Sequence, residues 1–144
     1  MNISNDQKAW RTAYVAGALL ACLAVGLGAI GTHSLEQVLP KWFADDSPRR
    51  LAAWHSAVLW QMVHALTLVA IGLSRQRISE QVARALTAVF VIAIVLFSFC
   101  IYAWVLSGIG FFVGLVPVGG ILFMLGWVVL AVSALKFPGH PDTT

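Results

Sequence analysis

The sequence predicts an all-α fold, a polytopic membrane protein in which four transmembrane helices form one bundle. Hydrophobic residues occupy 60% of the 144 positions and charged residues only 10%, whereas soluble domains average about 45–50% and about 25%. Four blocks contain no Lys, Arg, Asp or Glu, at residues 13–30, 57–73, 85–106 and 117–135. A helix of ~20 residues crosses a bilayer, and the hydrocarbon offers its backbone no outside partner. We therefore expect a single membrane domain over residues 1–144, with helices at about 12–35, 48–73, 82–107 and 116–136.

The first predicted helix begins at a membrane interface and contains regularly spaced small residues. Basic and aromatic side chains typical of an interface open it, namely Lys8, Trp10, Arg11 and Tyr14. Small residues then recur at every fourth position, at 13, 17 and 21 and again at 24, 28 and 32. Because this spacing lets helix backbones approach closely in lipid, we expect Gly17, Ala21 and Gly28 to lie in helix contacts. Gly28→Leu should then destabilise the bundle, and residues 1–7 should be frayed.

The second predicted helix follows the longest polar connection, residues 36–47. Asp-Asp-Ser-Pro at residues 45–48 predicts its start, because acceptor side chains suited to the N-cap are followed by proline at the first helical position. The Trp-Phe pair at 42–43 is expected to rest on the membrane surface. The two arginines at 49–50 are expected to lie outside the hydrocarbon.

The third and fourth predicted helices differ in composition. The third is rich in Val, Ile and Phe, which suits exposure to lipid. Residues 107–116 carry three glycines and no charge, and they predict a tight turn. Pro117 is then expected in the first turn of the fourth helix, where its missing N–H is tolerated. Further helix-packing positions are expected at Gly119, Gly120 and Gly126, with the helix ending near residues 136–138 and a disordered tail beyond.

The distribution of Lys and Arg predicts the orientation. With four helices, both ends share a side with the second loop, and this side holds six basic residues: Lys8, Arg11, Arg75, Arg77, Arg84 and Lys136. The opposite side holds three, at Lys41, Arg49 and Arg50. Since cytoplasmic loops carry the excess of Lys and Arg, we expect both termini in the cytoplasm or on the equivalent side of an organelle membrane.

Three histidines lie in or near the apolar blocks, but their spacing argues against a metal or haem. His55 and His64 are nine residues apart, and nine steps of ~100° place them on opposite helix faces. The third and fourth blocks contain no histidine, and Met124 is the obvious substitute ligand there. We expect no metal and no cofactor. No nucleophile–base pair can be placed either, so we expect no catalytic residues and favour a protein that is not an enzyme.

A more specific cluster is formed by Gln61 and His64, which share a helix face at a spacing of three residues. Trp60 lies one turn before His64. One interpretation is structural, a neutral His64 bonded across helices through Thr67 or Ser98. The other is a pocket for a lipid headgroup or quinone, with ligand-binding residues Trp60, Gln61, His64 and His33. His33 and His55 flank the same loop and could also form a polar lid over the bundle.

Four stretches of the chain resemble motifs of one family. They are GLGAIGTHSL at 26–35, WHSAVLWQMVHAL at 54–66, LFSFCIY at 96–102 and VPVGGILFMLGW at 116–127. Together they resemble the YgdD/YwdK-like family of small four-helix membrane proteins of unknown function. The resemblance implies the four-helix fold and the bacterial inner membrane, with a mitochondrial membrane as the alternative, and it supplies no activity.

The functional expectation is an integral membrane protein that serves as a structural or accessory component. Besides the lipid bilayer, the expected partners are copies of the same chain or a larger membrane complex. Nucleic acid is not expected, because nine basic residues are spread over five polar stretches rather than clustered on one face. The alternative function is lipid or quinone binding around His64.

Overall fold

A computed structural model describes residues 8–75 and 78–136, and all four helices within these ranges are long and apolar enough to cross a membrane. They are α1 (Lys8–Trp42), α2 (Ser47–Leu73), α3 (Glu80–Ser107) and α4 (Phe111–Lys136). α1 contains a π-helical turn at Gly31–Leu35, and α3 contains one at Val95–Phe99. The all-α fold with four transmembrane helices is confirmed. The expected fraying of residues 1–7, the Arg77 position and the expected tail beyond 136 lie outside the described residues.

α1 continues to Trp42, further than the predicted end at residue 35. The polar connection that was expected over 36–47 is mostly helical, and only residues 43–46 separate α1 from α2. Leu35 and Leu39 explain the extension, since both are buried and pack in one cluster with Trp54 of α2. Loss of hydrophobicity therefore does not mark the end of the helix here.

α4 begins at Phe111, earlier than predicted, so Pro117 lies inside the helix rather than in its first turn. The turn before it is short because Gly108 adopts a left-handed conformation with φ +75° and caps α3, with its N–H donating to the Trp104 carbonyl. Proline disfavours a helical residue before it but does not forbid one. In an apolar environment the helix still satisfies more backbone groups than an irregular segment would.

The helices form two hairpins. Hairpin 1 consists of α1 and α2, and hairpin 2 consists of α3 and α4. α2 and α3 are the more buried helices. The expectation that α3 is exposed to lipid is therefore wrong for one of its faces, which is buried in the bundle. That face follows helical spacing and holds Ala83, Leu86, Phe90, Ala93 and Ile94. Composition did not reveal this face, because Val and Ile suit both lipid and a packed interior.

Glycines bring the backbones together within each hairpin. A Cβ on Gly17 would lie 2.6 Å from the Ala65 carbonyl oxygen of α2, and one on Gly119 would lie 2.6 Å from the Phe97 backbone nitrogen of α3. A Cβ on Gly126 would lie 2.8 Å from the Phe90 ring. These separations are shorter than real Cβ contacts, so the helices can approach this closely only where the side chain is a hydrogen atom.

The other predicted packing positions are less crowded. A Cβ on Gly28 would meet Val58 at 3.5 Å and one on Gly120 would meet the Phe97 ring at 3.9 Å, both ordinary contacts. Ala21 is partly exposed. The expectation that Gly28 is a tight contact is therefore not supported by this geometry, because the adjacent Val58 leaves room for a methyl group.

Candidate functional site

Gln61 lies at the centre of the bundle and joins three helices. It is fully buried, and its Nε2 donates to the Leu20 carbonyl of α1 at 2.9 Å. Its Oε1 accepts a hydrogen bond from the Tyr102 hydroxyl of α3 at 3.0 Å. Both ends of the amide are therefore occupied by groups from neighbouring helices.

His64 is also fully buried, and its two ring nitrogens have different partners. Nδ1 lies 2.7 Å from the Trp60 carbonyl, and Nε2 accepts from the Trp127 indole N–H of α4 at 3.2 Å. A carbonyl can only accept and an indole N–H can only donate. The pattern therefore assigns the neutral ring with its proton on Nδ1. The interhelical partner is Trp127, so the expected partners Thr67 and Ser98 are wrong.

Aromatic rings enclose the His64 imidazole. Phe123 stacks on it with centroids 3.5 Å apart and planes at 12°, and Phe90 lies at 5.6 Å. Trp60 is stacked at 5.7 Å, but nearly half of its own surface is exposed. With its faces covered and both nitrogens bonded, the imidazole has no free position for a ligand.

Thr67 and Ser98 bond elsewhere. The Thr67 hydroxyl donates to the Val63 carbonyl of its own helix. The Ser98 hydroxyl, fully buried, donates to the Ala57 carbonyl at 2.9 Å and so connects α3 to α2.

Arg50 is the buried polar residue that the sequence interpretation missed. Its expected place outside the hydrocarbon stays a prediction, but its burial within the protein was not expected, and it is only 7% exposed. Its Nη1 donates to the Trp104 and Val105 carbonyls at 2.9 and 3.1 Å, near the C-terminal end of α3. A cation is favourable there, because the last carbonyls of a helix carry partial negative charge.

The rest of the Arg50 side chain is held from the start of α2. Its Nε donates to the Asp46 carboxylate at 3.0 Å, and the guanidinium lies 3.7 Å from the Phe43 ring centroid. The N-cap is Asp46, one residue before the position that the prediction of Pro48 at the first helical position implied. The Asp46 side chain makes no capping bond and pairs with Arg50 instead. Phe43 therefore packs on the protein, contrary to the expectation, while Trp42 is exposed. The spacing of four residues between Asp46 and Arg50 was the signal available in the sequence.

The remaining candidate residues do not join the central cluster. His33 is exposed in the π turn of α1, thirteen residues beyond Leu20, or about 20 Å along a helix at ~1.5 Å per residue. His55 is also exposed. Its neighbour Trp54 is buried instead and donates to the Leu27 carbonyl at 2.8 Å, while a Cβ on Gly31 would lie 2.7 Å from the Trp54 ring. Among the described residues, no group of three or more His, Cys, Asp or Glu side chains could hold a metal.

Comparisons with known proteins place the chain among membrane proteins. Residues 27–120 match the model of a family described as "Protein of unknown function (DUF423)". A "UPF0382 membrane protein" of Staphylococcus epidermidis is 38% identical over 125 residues, covering 87% of this chain and 96% of the relative. "UPF0382 membrane protein YwdK" of Bacillus subtilis is 34% identical over 125 residues, covering 85% and 95%. No solved structure matches the chain.

Proposed function

The chain belongs to the DUF423 family of membrane proteins, and on this premise we propose that it is an accessory component of the bacterial cytoplasmic membrane that acts by associating with other membrane proteins. One observation carries the proposal. Each fully buried side-chain nitrogen or oxygen in the described ranges has a hydrogen-bond partner within the protein. The polar groups of the bundle are thus occupied in holding the helices together.

The lipid- or quinone-binding alternative at His64 finds no support. A ligand there would need an accessible imidazole or an unbonded Gln61 amide, and both are fully buried and bonded. A transport path would need a polar, water-lined route, whereas rings of Phe123 and Phe90 surround the central imidazole. The interior is better suited to rigidity than to passage or chemistry.

The outer faces of α1 and α4 are the surfaces available for association. Both helices bury a smaller share of their spans than α2 and α3 do. Large apolar side chains project from both, among them Leu19 and Val25 on α1 and Met124 and Val128 on α4. In lipid such faces are covered either by acyl chains or by other transmembrane helices. The proposed role rests on contact with other transmembrane helices.

Cross-linking in the native membrane tests the role. Cys22 projects from α1 and is exposed, whereas Cys100 is buried, so a membrane-permeable bis-maleimide should react at Cys22. We expect an adduct larger than the 15.5 kDa chain, absent in Cys22→Ser. Two tagged copies of different length show whether the partner is a second copy. Val128→Cys in the Cys22→Ser background tests α4 in the same way. If the protein remains an uncross-linked monomer with both Cys22 and Val128→Cys, the proposed role is contradicted.

We also propose that both termini are cytoplasmic. The six-to-three distribution of Lys and Arg supports it. Of the three on the opposite side, Arg50 is buried and paired with Asp46, which leaves that end with still less free positive charge. In a Cys22→Ser background, Glu36→Cys should react with an impermeant maleimide in intact cells, whereas Arg75→Cys should react only after permeabilisation. The reverse pattern would invert the orientation.

A further inference from the structure

A cationic groove of about 600 Å³ lies where α1 begins and α2 ends. Three basic side chains line it, Lys8 and Arg11 from α1 and Arg75 from the turn after α2. None of the described residues that line it is acidic. The groove therefore concentrates positive charge at one end of hairpin 1.

The position of the groove along the helices places it at the depth of lipid headgroups. Lys8 and Arg11 lie within one to two turns before the uncharged block that starts at residue 13, and Arg75 lies just after the one that ends at residue 73. Trp10 and Tyr14 also line the groove, and such aromatic side chains concentrate at the boundary between headgroups and hydrocarbon. A bound molecule would thus have its charged part among the basic residues and any apolar part beside the uncharged helices.

The floor of the groove is fixed by a close helix contact. A Cβ on Gly72 would lie 2.7 Å from Tyr14 Cβ and 2.9 Å from the Trp10 carbonyl oxygen, so the two backbones almost touch. Trp10 is 6% exposed and forms a rigid wall, whereas Tyr14 is 46% exposed. The basic side chains therefore project from a firm base, and the apolar surface continues outward over Leu73, which is 70% exposed.

A second groove on the other side of Lys8 has a different charge. It lies between α1 and α3 and includes Glu80 and Arg84, which form an ion pair at 2.7 Å. The carboxylate of Glu80 balances the Arg84 charge there. Excess positive charge is therefore greater in the groove between α1 and α2.

We propose that the cationic groove binds the phosphodiester headgroup of an anionic phospholipid. Arg11 and Arg75 contact the phosphate oxygens, because guanidinium groups match phosphate geometry, and Lys8 adds a third charge. Basic pockets beside transmembrane helices on the cytoplasmic side suit such headgroups. A lipid fits better than a soluble anion, because the apolar surface next to the charges accommodates an acyl chain.

Native mass spectrometry of the full chain in mild detergent tests the site with phosphatidylglycerol and with phosphatidylcholine of the same acyl chains. We expect phosphatidylglycerol to bind about tenfold more tightly. The double variant Arg11→Gln, Arg75→Gln should weaken its binding about twenty-five-fold, at about fivefold per surface cation. Arg11→Lys, Arg75→Lys keeps the charge and should retain most of the preference. Thermal stability without added lipid checks that each variant is folded. If the double variant is unstable, the single variant Arg75→Gln replaces it, because Arg75 lies outside the helices.

The matched control is Lys41→Gln, Arg49→Gln, which removes the same charge from exposed positions at the other end of the bundle. It should leave binding unchanged, and an equal loss there would show a general charge effect and overturn the site. If phosphatidylcholine binds as tightly as phosphatidylglycerol, the groove makes only ordinary lipid contact and the proposal is overturned. If glycerol 3-phosphate binds as tightly as phosphatidylglycerol, the groove is a site for soluble anions rather than for a lipid. Unchanged phosphatidylglycerol binding by the Arg-to-Gln variants would also overturn the proposal.

Discussion

The interfaces within the two hairpins and the central interface between them differ in which contacts predominate. Within the hairpins, helices approach closely at glycines, and only hairpin 1 adds side-chain hydrogen bonds between its helices among the described residues, from Gln61 to Leu20 and from Trp54 to Leu27. The glycines whose Cβ would lie under 3.0 Å from a neighbour all face their own hairpin partner, and they are Gly17, Gly31, Gly72, Gly119 and Gly126. Across the central interface, polar side chains make specific bonds, from Arg50, Ser98, Tyr102 and Trp127.

This difference shows how a chain with few polar residues can still specify one arrangement of helices. Short loops already hold the helices of a hairpin side by side, and close van der Waals contact at the glycines helps to fix them. Across the central interface the described glycines make no contact under 3.0 Å, and apolar surfaces alone would allow the hairpins to slide. The buried donors are bonded to specific acceptors on the facing helix, so the polar bonds select a single register.

Arg50→Leu should have the largest effect, because it opens one end of the central interface. It removes the donor to the α3 carbonyls and leaves the Asp46 carboxylate with only its longer ion pair to the exposed Arg49, at 3.8 Å. Breaking a buried pair in this way costs about 3–5 kcal/mol, and we expect about 3 kcal/mol because Asp46 is 36% exposed. Unfolding by SDS titration in mixed micelles, followed by circular dichroism, measures it. Arg49→Leu is the control, since its side chain is 74% exposed, and an equal loss there would show that Arg50 has no special role.

Gly17→Ala should rank next and should weaken hairpin 1 rather than the central interface. The added methyl would lie 2.6 Å from the Ala65 oxygen, a backbone atom that cannot rotate away. Overpacking costs about 1–3 kcal/mol, and we expect about 2 kcal/mol in the same titration. Gly26→Ala, with nothing within 4 Å of its Cβ, should be neutral or slightly stabilising. If the two variants behave alike, α1 does not depend on backbone contact.

Gln61→Met should cost about 1–2 kcal/mol, because the Tyr102 hydroxyl then lacks its acceptor in an apolar interior. Tyr102→Phe in the same chain should restore most of that loss, since neither partner is then left unpaired. A double-mutant cycle measures this coupling. Simple addition of the two single effects would mean that the bond contributes nothing to the central interface.

Trp127→Phe should have the smallest effect, about 0.6 kcal/mol, which is typical of one interhelical hydrogen bond in a membrane protein. A smaller phenyl ring replaces the indole, and the N–H that donates to His64 is lost; because Trp127 is 43% exposed, we expect the lost hydrogen bond to dominate. The indole absorbance and fluorescence change with the substitution, so SDS titration followed by circular dichroism is the suitable measurement. A loss above about 2 kcal/mol would contradict this prediction and show that Trp127 contributes more than one hydrogen bond to the contact of α4 with α2.

The sequence was sufficient for the helices but not for all their ends. Uncharged blocks predicted four transmembrane helices, and the Asp-Ser-Pro run placed the start of α2 within a residue. The end of α1 was missed because polarity indicates where a helix leaves the membrane, and buried Leu39 continues it beyond that point. Pro117 was misplaced because a proline suits the first turn of a helix but does not require it.

The central polar site could be predicted from the sequence only in part. Gln61 and His64 stood out because a polar side chain in an apolar helix needs a partner. Their partners Tyr102 and Trp127 could not be deduced, since spacing along one helix gives a face but not the helix that packs on it. Arg50 was missed because an arginine at the start of a helix resembles one that lies in the headgroups, and only the packing of Phe43 and α3 shows otherwise.

The π turns of α1 and α3 bear on which changes in chain length the bundle can tolerate. A π turn closes its hydrogen bond over five residues where an α-helix uses four, so each turn contains one surplus residue. Deleting the exposed Thr32 from Gly31–Leu35 would convert the turn to α-helix and leave Ala24 and Leu39 on their present faces. The same deletion elsewhere in α1 would rotate all later residues by about 100° and turn Leu39 away from Trp54. Deletion of one residue should therefore be absorbed at these two turns and rejected along the rest of the helices.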